Sequence, residues 1–208
     1  QSDQWILTRC MHAVQDITEH FHKCDRGLAA QKLYDFAWSE FCDWYIELAK
    51  SDLFDGTPDR KRTAQAVLRY VLSALLKMLH PFMPFITEAL YENLPGNEGK
   101  SCMLSSWPAF DKTLVHEKGE AQMQGIMEVI RAVRNLRAEL KVQPGHKARL
   151  MLRPEAGWEE VLREAEPFFL RLAGASSLTI VYDTDDLPPK LVTAVCPAAE
   201  VMIPLGDL

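Results

Sequence analysis

Several features that define other protein classes are missing from this 208-residue sequence. No apolar run approaches the roughly 18 residues that a membrane-spanning helix needs. The first residues, Gln1 to Trp5, lack the charged and then apolar leader of a signal peptide. The five cysteines are widely spaced with no C-x-x-C pair, which favours reduced thiols in a cytoplasmic protein over a disulfide framework. Because the chain starts with Gln rather than Met, we expect it to be a fragment of a longer protein.

Patterns that carry catalysis or metal binding are also missing. No Ser lies in a G-x-S-x-G context. Gly99-Lys100-Ser101 resembles the end of a phosphate loop, but Leu94 stands where that motif needs its first glycine. His20, His22 and Cys24 are spaced by two, which does not place them on one face of a helix. We therefore predict no catalytic residues and no metal site, and a chain that is non-catalytic by itself.

The composition is that of an ordinary globular protein, with 48% hydrophobic and 25% charged residues. The net charge of −6 argues against a generally basic nucleic-acid-binding coat, but it leaves a local basic face open.

The central helix is predicted to run from about Leu28 to Lys50, and the stretch from Leu33 to Lys50 carries its pattern. It has no Gly or Pro, and apolar residues recur at steps of three and four. The predicted inward positions are Leu33, Ala37, Phe41, Trp44, Tyr45 and Leu48. Phe36 and Trp38 lie off this helical face, so the helix is apolar around much of its circumference. This is typical of a helix with partners on several sides.

Other helices are predicted before and after this stretch. One precedes it, from Asp3 to about Cys24, and three follow it. The first of these begins at Thr57-Pro58, the second at Pro84, and the third runs from about Glu117 to Leu140, with Pro144-Gly145 as its stop.

The pattern then changes to that of a small mixed domain. Lys147–Arg153 alternates like a half-buried strand, a helix restarted at Pro167 follows, and Leu178–Tyr182 is a second strand. Two further short strands are predicted at Ala194–Cys196 and Glu200–Pro204. The predicted fold class is mainly α: an antiparallel helix bundle over residues 1–142, followed by a small α+β appendage over residues 143–208.

Positive charge is concentrated on the last long helix. Arg131, Arg134, Arg137 and Lys141 follow steps of three, three and four, so they form one stripe beside the apolar face. From Ile126 to Arg153 there are seven Lys or Arg against two acids, whereas the next 30 or so residues are acidic. Such a stripe can simply be a solvated face, but segregated charge also favours contact with a phosphate backbone.

A second basic group is Arg60-Lys61-Arg62, near the start of the helix that begins at Thr57. If the central helix and this helix are antiparallel neighbours, Lys50 lies at the same end of the bundle. These four residues would then form a compact cationic tip.

Four stretches, in this order, resemble the anticodon-binding domain of valyl-tRNA synthetases, which are class Ia aminoacyl-tRNA synthetases. They are Trp38–Lys50, Leu79–Glu88, Ser106–Pro108 and Ile130–Glu139. The H-P-F-M-P-F-I-T-E motif in the second stretch is shared by several class I synthetases. The first and fourth stretches are similar to the valine enzyme in particular. Asp3–Leu7 also resembles the D-R-W-I-L wording of the family, with Gln4 where Arg is usual.

The resemblance implies the C-terminal anticodon-binding region of an enzyme that activates valine with ATP and esterifies tRNA. The H-I-G-H and K-M-S-K-S motifs that serve ATP do not occur in this sequence, so ATP is expected in a catalytic domain elsewhere and no cofactor in this fragment. A first bundle helix with W-N-A-A-R-F wording is expected upstream of Gln1. The implied partners are valine tRNA and the catalytic domain of the same enzyme, with no membrane, in a cytoplasmic monomer.

The expected function is recognition of the anticodon loop and stem. Unpaired bases are read when they stack on aromatic or Arg planes, and phosphates bind cations. The expected tRNA-binding residues are Trp5, Arg9, Lys50, Arg60, Lys61, Arg62, Arg131, Arg134, Arg137 and Lys141. Two alternatives remain: the anticodon domain of the isoleucine or leucine synthetase, and a helical protein-interaction module.

Overall fold

The computed structural model describes residues 1–143, 145–182 and 187–207. The chain folds into two compact units, Gln1–Glu120 and Ala121–Leu208. The domain boundary predicted at residue 142 stays a prediction. No helix of the described residues is both long and apolar enough to cross a membrane.

The first unit is helical. Its helices are α1 (Ser2–His22), α2 (Arg26–Asp35), a π-helical segment (Phe36–Ile46), α3 (Glu47–Asp55), α4 (Pro58–Leu79) and α5 (Pro84–Glu92). A short 3-10 turn (Lys112–Leu114) follows, and α6 (Glu117–Glu139) begins here and continues into the second unit. Helix α1 packs against α2, the π-helical segment and α4, and α4 packs against α3 and α5.

Helix starts follow the capping signals in the sequence. The Thr57 hydroxyl accepts a hydrogen bond from the Arg60 amide at 3.4 Å, and Pro58 occupies the first helical position of α4. The Asp25 carboxylate accepts from the Leu28 amide at 3.2 Å at the start of α2. The helix stop predicted at Pro144-Gly145 falls partly on Pro144, which lies outside the described residues.

The central helix differs from a regular α-helix in its middle. Helices α2 and α3 and the π-helical segment form one continuous helix from Arg26 to Asp55. Phe36 is buried although its spacing placed it off the inward line, and Trp38 is exposed. The interval of five residues between the buried Phe36 and Phe41 fits a helix whose hydrogen bonds reach the fifth residue rather than the fourth.

The long connection after α5 is fixed at several points. Both carboxylate oxygens of Glu88 accept backbone N–H bonds, from Cys102 at 3.2 Å and Met103 at 3.1 Å. Farther on, the indole of Trp107 donates to the Thr18 hydroxyl at 2.8 Å and meets the Phe21 ring edge-on. The predicted surface loop therefore follows a defined path over α1.

The second unit contains a four-stranded mixed sheet in the order β2-β1-β4-β3. Its elements are β1 (Ala148–Pro154), α7 (Glu159–Glu164), α8 (Glu166–Leu172), β2 (Ala175–Ile180), β3 (Leu191–Cys196) and β4 (Ala199–Pro204). Strand β1 pairs parallel with β2 and antiparallel with β4, and β4 pairs antiparallel with β3. The buried side chains include Leu150, Leu152, Phe169 and Val201. The predicted class, a helical bundle with a small α+β appendage, is confirmed.

Candidate nucleic-acid interface

The turn between α3 and α4 brings the first group of predicted cations together. The two helices pack against each other and are joined by only Gly56 and Thr57. Arg60–Arg62 at the start of α4 lie directly after this turn, and Lys50, in the first half of α3, lies five residues before the end of that helix. This arrangement agrees with the antiparallel packing assumed for the cationic tip.

Arg60 is held by acids rather than left free. Its guanidinium contacts the carboxylate of Asp52 at 2.6 Å and that of Asp3 at 3.3 Å. The Asp52 hydrogen bond is the main reason that the pKa of Arg60 is raised. The hydroxyl of the fully buried Tyr45 donates to Asp3 at 2.7 Å. Burial and the adjacent Asp3 carboxylate raise the pKa of Tyr45, so its hydroxyl stays protonated and donates.

The other cations of the tip differ in their partners. Lys50 is paired with Glu47, three residues earlier in the helix. Arg62 is 78% exposed and lies 4.0 Å from Asp59, while Lys61 is exposed and makes no ion pair with any described residue. The tip is therefore less positive than the sequence indicates, and its available charge comes mainly from Lys61 and Arg62.

The basic stripe on α6 is held in another way. Arg134 donates to the backbone carbonyl of Leu172 at 2.8 Å, and Arg137 donates to the carbonyls of Gln143, at 3.4 Å, and His146. A Cβ on Gly174 would lie 3.1 Å from the guanidinium carbon of Arg137, so this glycine leaves room for the arginine. The two carbonyls orient the Arg137 guanidinium without neutralising its charge.

Lys141 ends the helix in a left-handed conformation. Its φ is +54°, its amide donates to Ala138 at 3.0 Å, and the next amide, of Val142, donates to Arg137 at 2.9 Å. This pair of bonds is the Schellman arrangement that closes many helices. The exposed Lys141 side chain makes no ion pair within the described part of the chain.

Close packing on α6 holds this helix in place. A Cβ on Gly125 would lie 2.2 Å from the ring of Trp158, so the indole rests directly on the helix backbone. Ile130, Val133 and Leu136, next to the basic positions, are buried as their spacing predicted.

Two predicted site residues need correction. Trp5 is only 2% exposed, so its ring has no free face for a base and it is withdrawn as a stacking residue. Arg9 forms a two-point ion pair with Glu40, at 2.7 and 2.8 Å, and also contacts Glu120 at 3.2 Å. The hydrogen bonds to Glu40 raise the pKa of Arg9, whose charge is already balanced. Sequence spacing could not reveal these partners, because Glu40 and Glu120 are far from Arg9 along the chain.

One group of possible metal ligands was not singled out in the sequence. Donor atoms of His80, Glu88 and Cys102 lie within 4.8 Å of one another. The Glu88 oxygens already accept two backbone amides, and the Nδ1 atom of His80 is 2.7 Å from the Thr87 hydroxyl. These hydrogen bonds explain why the three residues lie together: they anchor the loop after α5.

Sequence comparison identifies the family. Residues 3–152 match the family described as the anticodon-binding domain of tRNA ligase, and the chain belongs to this family.

Among individual relatives, the chain is 42% identical over 207 residues to the valine--tRNA ligase of Clostridium acetobutylicum and 41% identical to that of Clostridium perfringens. It is 39% identical over 209 residues to the valine--tRNA ligase of Listeria innocua. Each match covers 100% of this chain but 23% of the relative, so the chain spans about a quarter of the length of these ligases.

Proposed function

We propose that this chain is the anticodon-binding region of a valine--tRNA ligase. The proposal is carried by the identity of 42% to such a ligase over the whole chain, together with the family match over residues 3–152. The catalytic domain, outside this chain, would use ATP to activate valine and esterify tRNA. The relatives are valine enzymes, which favours this function over an isoleucine or leucine synthetase.

The α6 stripe is the proposed site for the phosphates of the anticodon stem. Arg131 and Arg134 are exposed, and Lys141 is exposed at the end of the helix. The contacts of Arg137 to Gln143 and His146 hold its guanidinium at the surface while its charge is retained. A stem phosphate placed along this stripe would meet several cations at helical spacing.

The α4 tip is the proposed site for the anticodon loop. Lys61 and the mostly exposed Arg62 can contact loop phosphates, and a guanidinium plane can stack on an unpaired base. Arg60 and Lys50 have a supporting role in this proposal because acids already occupy them.

We further propose that the parent enzyme is a cytoplasmic monomer whose partners are valine tRNA isoacceptors and its own catalytic domain. No membrane partner is proposed.

The deciding experiment measures binding of the 208-residue chain to valine tRNA, native and with changed anticodon bases, across a salt series. We expect tighter binding to the native anticodon and a linear fall of log affinity with log salt. Equal, salt-dependent binding to both tRNAs would assign base readout to residues outside this chain. No binding at any salt concentration would contradict the proposal for the isolated region.

A matched pair of variants locates the contacts. Lys61→Gln combined with Arg62→Gln removes the available charge of the tip, and Lys112→Gln combined with Lys118→Gln is a control at exposed positions elsewhere on the surface. The first pair should lower affinity and flatten the salt dependence by about one to two charges, whereas the control pair should change neither.

A further inference from the structure

Helix α5 exposes apolar residues where a surface helix normally exposes charge. Phe85 is 91% exposed, and Ile86, Leu90 and the preceding Met83 are each about half exposed. The opposite face, with Thr87 and Tyr91, is buried. A helix that is apolar on both faces is normally covered on both.

The exposed face continues onto the loop that follows. Because Glu88 on α5 binds the amides of Cys102 and Met103, the loop is fixed beside the helix. There the side chains of Met103 and Leu104 are 75% and 85% exposed. We define the α5 patch as Met83, Phe85, Ile86, Leu90, Met103 and Leu104.

The charge around the patch argues against nucleic acid as its partner. Between Met78 and Asp111 the sequence has a single Lys or Arg, Lys100, and its ammonium donates to the Gly96 carbonyl at 2.8 Å. Two cations of α4 lie nearby but off the patch: Lys77 is 5.7 Å from the ring of Tyr91, on the buried face of α5, and the Arg69 guanidinium lies against Gly96. A phosphate backbone would therefore meet little positive charge on the patch itself. Contiguous exposed aliphatic and aromatic side chains instead indicate a site that binds the surface of another protein domain.

We propose that the α5 patch is the docking surface for the catalytic body of the same ligase. This inference rests on the proposed function. The chain spans 23% of the length of its relatives, so most of such an enzyme consists of residues outside this chain. Surfaces between domains of one chain cover roughly 600–1,500 Å², and six large apolar side chains supply the centre of such an interface. The occupant should present an apolar surface with few unpaired charges, because the patch offers no ionic partners.

The test compares one double variant in two proteins, the isolated 208-residue chain and the intact ligase that carries it. Phe85→Asp with Leu90→Asp places charge in the centre of the patch. In the isolated chain, Tm should change by less than about 2 °C because both side chains are exposed there. In the intact ligase, protease cleavage between this region and the catalytic body should accelerate at least about tenfold as the body undocks. Val195→Asp, at an 80% exposed position in β3, is the matched control and should not change that rate.

A photo-crosslinking residue in place of Phe85 identifies the occupant directly. A crosslink within one polypeptide, to a peptide of the catalytic body, supports docking, whereas a crosslink to the bundle helix expected upstream of Gln1 would overturn it. A crosslink between two copies, a crosslink to tRNA, or an unchanged cleavage rate in the Asp variant would overturn the proposal. Valine tRNA binding by the isolated chain is measured in parallel, so that failure of the proposed function appears there and failure of docking appears only in the intact enzyme.

Discussion

The two basic surfaces look alike in the sequence but differ in what surrounds their cations. At the α4 tip, Arg60 is bound by the carboxylates of Asp52 and Asp3, and Lys50 by Glu47. On α6, Arg137 donates to neutral backbone carbonyls, and Lys141 makes no ion pair with the described residues. Arg60 and Lys50 are therefore neutralised by acids, whereas the contacts of Arg137 leave its charge in place.

This difference separates structural cations from binding cations. A guanidinium bound to two acids stabilises the fold, and a phosphate can recruit it only by displacing them. A guanidinium bound to carbonyls is oriented and still charged, so an approaching phosphate adds to its contacts. Predictions for the acid-bound Arg60 and its neighbours should therefore concern stability, and those for Lys141 on the stripe should concern binding.

The largest effect is expected for Tyr45→Phe at the base of the tip. The change removes the hydroxyl that donates to the buried Asp3 carboxylate, and a hydrogen bond to a charged group contributes about 1.5–3 kcal/mol. We expect chemical denaturation to show a loss of about 2 kcal/mol in the free energy of unfolding. Tyr34→Phe, at an exposed tyrosine, is the control and should be nearly neutral. Equal stabilities for the two variants would mean that the Asp3 network does not support the fold.

Arg60→Gln should lower the free energy of unfolding by less than Tyr45→Phe does. It should leave the salt dependence of tRNA binding unchanged. The arginine is about half exposed, so its ion pairs are screened and the expected loss is about 1 kcal/mol. Its charge is already balanced, so few counterions are displaced through it. A salt slope that falls by a full charge would show that Arg60 leaves its acids to bind phosphate.

Lys141→Asn should weaken tRNA binding while leaving the stability of the fold intact, the opposite of the result expected for Arg60→Gln. Asn tolerates the left-handed conformation at the helix end, so the stability of the fold should hold or rise slightly. Loss of one phosphate contact should weaken tRNA binding about threefold at moderate salt and lower the salt slope by about one. Unfolding and binding measured on the same preparation would test both halves of the expectation, and unchanged binding would remove Lys141 from the interface.

The smallest effect is expected at low pH, where the loop after α5 should lose the stabilisation that Glu88 provides. Hydrogen bonds from Ser101 and from the amides of Met103 and Cys102 lower the pKa of Glu88. The stabilisation from this anchor is therefore fully present above the ordinary pKa of a glutamate and is lost as pH falls through the lowered folded value. Trp107, on the same loop, should report this loss as a fluorescence change during acid titration. Glu88→Gln should reduce the pH-dependent part of the change, and Glu92→Gln on the outer side of α5 should not.

Much of the fold could be predicted because its signals are local. The start of α4 at Thr57-Pro58, the apolar face of α6 and the restart of the helix at Pro167 are all encoded within a few residues. Strand β2 (Ala175–Ile180) starts three residues and ends two residues earlier than predicted, and Ala175 at its start pairs with Ala148 of β1.

The partners of the charged residues could not be predicted in this way. Asp3 and Arg60 are 57 residues apart, and Arg9 and Glu120 are 111 apart. Only the packing of α1 against its neighbours brings such pairs together, so the sequence pattern overestimated the charge of the tip. For the same reason Trp5 looked available for stacking although it is buried.

The π-helical segment has a consequence for changes in chain length. A hydrogen bond to the fifth residue encloses one residue more than an α-helical bond, so this helix already contains the equivalent of an insertion. Deleting Ser39 from its exposed side would return a turn to α-helical geometry without breaking the helix. Every later residue would then keep its angular phase, so Tyr45 would stay beside Asp3, whereas the same deletion in a regular α-helix would rotate the following residues by about 100°. The segment can thus absorb the loss of one residue while α3, with Lys50, keeps its orientation.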